Sequence, residues 1–166
     1  MRRNSIAVAA LKGAIGGALA TWMMDRVTTW AYERESEPVR KREDEARQGK
    51  TAYEVAAAKV ARRVGHTRLE SEAQGRYGNV IHWTLGIGAG ALYGALRKRA
   101  PIVGVGRGVG FGILFWLLVD ELATPVLGLS PGPRAFPWQT HARGLGGHLA
   151  YAAALTTALD AVEAAG

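Results

Sequence analysis

The sequence predicts an all-α protein: a glycine-rich bundle of four transmembrane helices with a charged loop carrying a short amphipathic helix. Three observations predict it. Four apolar stretches each offer about 17–25 residues, the length a helix needs to cross roughly 30 Å of hydrocarbon. Most of the 22 glycines lie inside those stretches, not in polar linkers. An interior glycine costs a soluble helix about 1 kcal/mol, but membrane helices use it for close backbone approach. Charge gathers in one block instead: residues 31–79 hold eleven of the 21 basic and nine of the 14 acidic side chains. At 166 residues the chain fits one domain, so residues 1–166 read as a single integral membrane unit.

The first helix is expected over 6–28. Its run from Ile6 to Met24 contains one charge, Lys12. MRRNS followed by an apolar core resembles a signal peptide, but WMMDRVTTW follows where a small-x-small cleavage site would stand. A retained helix is therefore expected. Residues 31–76 form the polar loop, in which Pro38 is expected to interrupt any helix. Thr51 and Glu54 then have capping-box spacing, opening a helix through Val64 that Gly65 stops. Val55, Ala56, Val60 and Val64 make its weak apolar stripe, suited to lying on the bundle or on lipid headgroups. The second long helix is expected over 77–97 and the third over 102–124, joined by the short link RKRAP. The fourth is expected over 142–163, with Trp138 as an anchor at headgroup level.

Glycines recur every four residues at Gly86, Gly90 and Gly94, and again at Gly104, Gly108 and Gly112. Gly13 and Gly17 share the spacing. This is the small-xxx-small pattern of close helix contact in a bilayer. Because RKRAP is short, the second and third helices should be antiparallel neighbours, their glycine faces meeting each other or a partner subunit. A homo-oligomer or a partner membrane protein is therefore expected, beside the lipid bilayer itself. The Gly-x-Gly repeat over Gly104–Gly112 lies inside an apolar run and not after a strand, so it is no nucleotide site.

The net charge is +7, yet the basic residues of 31–79 are mixed with acids and interleave with few aromatics. No nucleic-acid interface is expected. The absence of cysteine removes disulfides, thiolate metal sites and cysteine nucleophiles. With four spans, the N-terminus, RKR and the C-terminus share a side. Arg2, Arg3, Arg97, Lys98 and Arg99 make that side cytoplasmic, whereas the eleven basic residues of the loop argue the reverse. The N-terminus is taken as inside.

Ionisable groups at membrane depth are functional candidates by default. Lys12, Asp25, Arg26, Arg107 and Asp160 lie near helix ends and are read as structural. Asp120 and Glu121 differ, because they follow FGILFWLLV directly and have short stems. Neighbouring helical residues point about 100° apart, so one acid only is expected to face the bundle. Pro125 should bend or end the helix and free carbonyls nearby. Chain parity brings the end of helix three, the start of helix four and the start of helix two to one side. That gathers His82, Asp120, Glu121, His141, Arg143 and His148 into a candidate polar cluster. Such a set suits a proton relay. A shared metal is less suited: His141 and His148 lie about 10 Å apart along the helix, and HExxH spacing is absent. No metal, cofactor or catalytic residue is assigned.

Pro125, Gly128, Leu129, Ser130, Pro131, Pro137, Trp138, Gly147, His148 and Leu149 occur in PVLGLSPGPRAFPWQTHARGLGGHL. With this spacing the stretch resembles the YagU-like inner-membrane proteins of bacteria, over about half the chain and back to His82-Trp83. The resemblance implies a multi-pass helical protein of the inner membrane and brings no reaction with it. It includes Trp138 and His148 but not His82, Asp120, Glu121 or His141. The expected function is a non-enzymatic membrane protein handling protons or small solutes, or supporting envelope stress tolerance. The alternatives are a small membrane-embedded metalloenzyme and a scaffold subunit of a membrane complex.

Overall fold

The computed structural model describes residues 5–65 and 68–165; Arg2 and Arg3 lie outside them. The described residues are mostly helical, with no strand among them. Helix α1 spans Ile6–Arg34, and its first turn is capped by Ser5, whose hydroxyl accepts the Val8 N–H at 3.2 Å. It runs past the expected end near residue 28, because TTWAYER contains neither glycine nor proline to stop it. Helix α2 spans Glu37–Arg47 inside the supposed loop, and Pro38 stands in its first turn. The expectation that Pro38 interrupts a helix is corrected. Proline there has no intrahelical N–H to lose, and its fixed φ suits a helix start.

Helix α3 spans Ala52–Arg63. Both bonds of the capping box form: the Glu54 N–H donates to Thr51 Oγ1 at 3.2 Å, and the Thr51 N–H donates to Glu54 Oε2 at 2.6 Å. Gly65 ends the segment at φ +93°. Helix α4 spans Ser71–Leu96, one and a half turns longer at its start than the apolar pattern implies. Its polar first turns pack on α3, where Gly78 lets the Tyr53–Glu54 backbone approach.

The third stretch is not one straight helix. A short α5 (Pro101–Gly104) leads into a 3-10 turn over Val105–Gly108, where Gly106, Arg107 and Gly108 take φ of 60°, 55° and 93°. Three consecutive left-handed residues break the ladder, and two of the three are glycines, which adopt that conformation freely. Helix α6 (Val109–Trp116) follows, then a π-helical segment Leu117–Ala123 and a last turn α7 (Thr124–Val126). Pro125 has no N–H to give the Asp120 carbonyl in the π register, and the Thr124 hydroxyl donates to that carbonyl instead at 2.7 Å. The turn after α7 is pinned by Lys59 of α3, which donates to the carbonyls of Leu127 and Gly128 at 2.7 and 2.8 Å. Helix α8 spans Trp138–Ala164, with Trp138 at its first position and 72% exposed.

Helix α1 lies between α4 and α8, and α6 packs on α8. Gly86, Gly90 and Gly94 of α4 face Thr21, Gly17 and Gly13 of α1, so close that a Cβ on Gly90 would stand 2.6 Å from the Gly17 Cα. The α4 glycines therefore meet α1, not the third stretch. Gly108 and Gly112 face α8 instead, against Thr156 and the His148 carbonyl, while Gly104 sits at the turn beside the Arg97 carbonyl. The core is Ala20, Tyr93, Tyr151, Leu155 and Leu159, with Met24, Phe111 and Phe115 around it. Two described helices, Ile6–Arg34 and Val105–Val126, are long and apolar enough to cross a membrane. Helices α4 and α8 match them in length, at 26 and 27 residues, but are less apolar. Ile15 and Leu118 are among many large apolar side chains facing outward on those two apolar helices.

Candidate functional site

Toward one end of the bundle the second half of α1, α4 at His82, the π segment and the start of α8 surround a cavity of about 410 Å³. The turn between α2 and α3 closes over it. Five of the six side chains expected to cluster line this chamber: His82, Asp120, Glu121, His141 and Arg143. The sixth, His148, lies in the wall of the bundle beside it, 2% exposed.

The pairings follow from the elements that carry them. His82 on α4 faces Asp25 on α1, with Nε2 2.8 Å from Oδ1, and the Tyr53 ring of α3 lies tilted against the imidazole at 4.9 Å. Burial pushes the Tyr53 phenol well above its ordinary pKa, and the carboxylates of Asp120 and Asp25 add to the rise. His141 Nδ1 lies 2.6 Å from Glu121 Oε1, and its Nε2 donates to the Pro133 carbonyl at 3.0 Å. A carbonyl can only accept, so Nε2 carries a hydrogen; Nδ1 and the Glu121 carboxyl then share a further proton.

His148 Nδ1 donates to the Gly144 carbonyl at 2.9 Å, with Asp120 Oδ2 at 3.7 Å and the Phe115 ring edge-on at 4.9 Å. This hydrogen bond along its own helix fixes the tautomer and holds the ring against the core. Both Asp120 and Glu121 thus face the chamber, where one acid was expected to. The π segment widens the helix, and Asp120 and Glu121 meet histidines two turns apart on α8.

Arg143 does not meet either acid of the third stretch. It turns toward the charged block, bonding Glu35 and, at 2.5 and 2.6 Å, both oxygens of Glu43. Glu43 has no exposed surface; it also takes Arg47 at 2.5 Å and the Thr140 hydroxyl at 2.8 Å. The Tyr32 ring lies under the Arg143 guanidinium at 5.0 Å. This buried knot locks α2 onto α8. Sequence reasoning missed Glu35 and Glu43, because one acid in a run of alternating charges looks like every other. It assigned Asp25 a structural role; the signal for more was its position between aromatic and apolar residues in WMMDRVTTW.

At the other end of the bundle Arg97 pairs with Asp160 at 2.8 Å and Glu163 at 2.5 Å, and Lys98 pairs with Glu163 at 2.7 Å. These ties fasten the turn after α4 to the end of α8. Among the described residues no group of three or more histidines and carboxylates is arranged to hold a metal ion.

Neither a curated protein nor a solved structure matches the chain. A family model described as a protein of unknown function, DUF1440, matches residues 52–157. The match begins with α3 and takes in His82, Asp120, Glu121, His141, Arg143 and His148, leaving Asp25, Glu35 and Glu43 on the unmatched α1 and α2 side. It covers more than half of the sequence, and the chain belongs to the DUF1440 family.

Proposed function

We propose that the protein crosses a bacterial inner membrane four times, through α1, α4, the Val105–Val126 stretch and α8, and handles protons or small solutes in its polar chamber. The outward apolar side chains of α1 and of Val105–Val126 support the membrane setting. The resemblance of the Pro125–Leu149 stretch to YagU-like proteins supports the inner membrane. In this reading lipid covers the apolar flanks, and α2 and α3 lie at the interface over the chamber mouth.

One observation carries the activity: the His141–Glu121 pair lies in hydrogen-bond contact at the wall of a cavity open to its surroundings, with a second histidine–carboxylate pair, His82–Asp25, on the same cavity. A proton moving within a pair of this kind changes the charge of each group but not the total charge of the pair. The test is flux from proteoliposomes loaded with a pH-sensitive dye. Wild-type protein should dissipate an imposed pH gradient faster than Glu121→Gln, and His148→Ala should also slow it. Equal rates for all three would overturn the reading.

A further inference from the structure

We propose that the chamber binds a small organic ammonium compound, with the Asp120 carboxylate as counter-ion and the Trp116 indole N–H donating to an oxygen close to the ligand's nitrogen. The inference rests on the chamber of the proposed function and names its solute class.

The charges at the site decide its sign. Arg143 and Arg47 are held by Glu35 and Glu43, so the two guanidinium groups on the wall are already matched. Asp25 faces His82, and Glu121 shares a proton with His141. Lys50 is exposed at the rim. Asp120 is the acid left over. Among the described residues its side-chain oxygens take no hydrogen bond; the nearest partner is His148 at 3.7 Å, and the His148 N–H is spent on the Gly144 carbonyl. A partly buried carboxylate without a protein donor is complemented by a cationic donor.

A second, independent group points the same way. Trp116 Nε1 is shielded from solvent and has no acceptor among the described residues. The unpaired donor and the unpaired acceptor face the same glycine: a Cβ on Gly144 would lie 3.1 Å from Trp116 Nε1 and 3.4 Å from Asp120 Oδ2. The bare glycine lets both groups lie close against α8, and Trp116, Asp120 and Gly144 all line the cavity. The complement is a group that donates to Asp120 and offers a lone pair to Trp116, which an ammonium with a neighbouring hydroxyl does. Tyr32, Tyr53 and Phe136 add aromatic surface to the surrounding wall. A cavity of about 410 Å³ suits a small molecule.

The test is titration calorimetry on the full chain in detergent micelles, with ethanolamine, ethylamine and KCl at matched ionic strength. Ethanolamine should give saturable heat, ethylamine should bind more weakly, and KCl should give none. Asp120→Asn should weaken ethanolamine by about tenfold or more, the loss of one charged hydrogen bond. Trp116→Phe should leave ethylamine unchanged and remove the preference for ethanolamine. No saturable heat with ethanolamine, the same heat with KCl, or wild-type affinity in Asp120→Asn would each overturn the proposal. Trp116→Phe keeps the test decisive if Asp120→Asn does not fold, since an unchanged ethanolamine preference in it also overturns the proposal. Micelles hold no gradient, so ethanolamine binding without proton flux would sink the transport reading alone, and flux without binding would sink this one alone.

Discussion

Glu43 is wholly buried, and Arg143, Arg47 and Thr140 all spend hydrogen bonds on it. A carboxylate so placed is stabilising only while every partner is present. Glu43→Ala leaves Arg143, itself 8% exposed, with Glu35 as its remaining carboxylate and should cost about 1–3 kcal/mol. The measurement is the denaturant midpoint of the protein in micelles, and Glu43→Gln should lose less because the amide oxygen still accepts. An unchanged midpoint in Glu43→Ala would show that the knot contributes nothing. The site residues were legible to different degrees for a physical reason. His82, Glu121 and His141 stood out because an ionisable group in an apolar run has few bland explanations. Glu43 did not, because its run is polar, and only the fold shows which acid of that run turns inward.

At the scale of elements, the α1–α4 seam rests on absent side chains. A Cβ on Gly90 would stand 2.5 Å from the Gly13 carbonyl oxygen and 2.6 Å from the Gly17 Cα, both backbone atoms that cannot swing aside. Gly90→Ala should therefore force the helices apart and cost about 1–3 kcal/mol. Gly88 meets nothing within 4 Å, so Gly88→Ala should be neutral or slightly stabilising. Thermal unfolding of the two variants side by side checks this; equal midpoints would mean that the seam tolerates widening. The four-residue glycine spacing was readable in the sequence, but a spacing says which residues share a face and not what that face meets. The α3 helix was legible to within a residue, since Thr51, Glu54 and Gly65 carry local signals at both ends. The α2 helix was not, because Pro38 reads equally as a breaker and as a first-turn residue. The break at Gly106–Gly108 and the π segment were hidden by an apolar run that gives no sign of changes in pitch.

At the scale of the whole molecule, the polar chamber and the Arg97–Asp160 ties lie at opposite ends of one bundle. The four-crossing reading therefore places Arg42 and Lys98 on opposite sides of the membrane. The sequence has no cysteine, so Arg42→Cys and Lys98→Cys each introduce a single reactive thiol at an exposed site. In intact cells an impermeant thiol reagent should label one and spare the other; labelling of both or of neither would overturn that topology. Parity of the long stretches was enough to bring His82, Glu121 and His141 to one end, because alternation of helix direction is set by connectivity alone. The Glu43–Arg143 knot adds an order in time. The chain is made from its N-terminus, and Arg143 follows Glu43 by 100 residues. Until the ribosome reaches α8, Glu35 lacks Arg143 and Glu43 has only the partly exposed Arg47, and carboxylates so poorly matched stay in water. The α2 segment therefore waits outside while the first three long stretches assemble, and the chamber acquires its cover only after the last helix is in place.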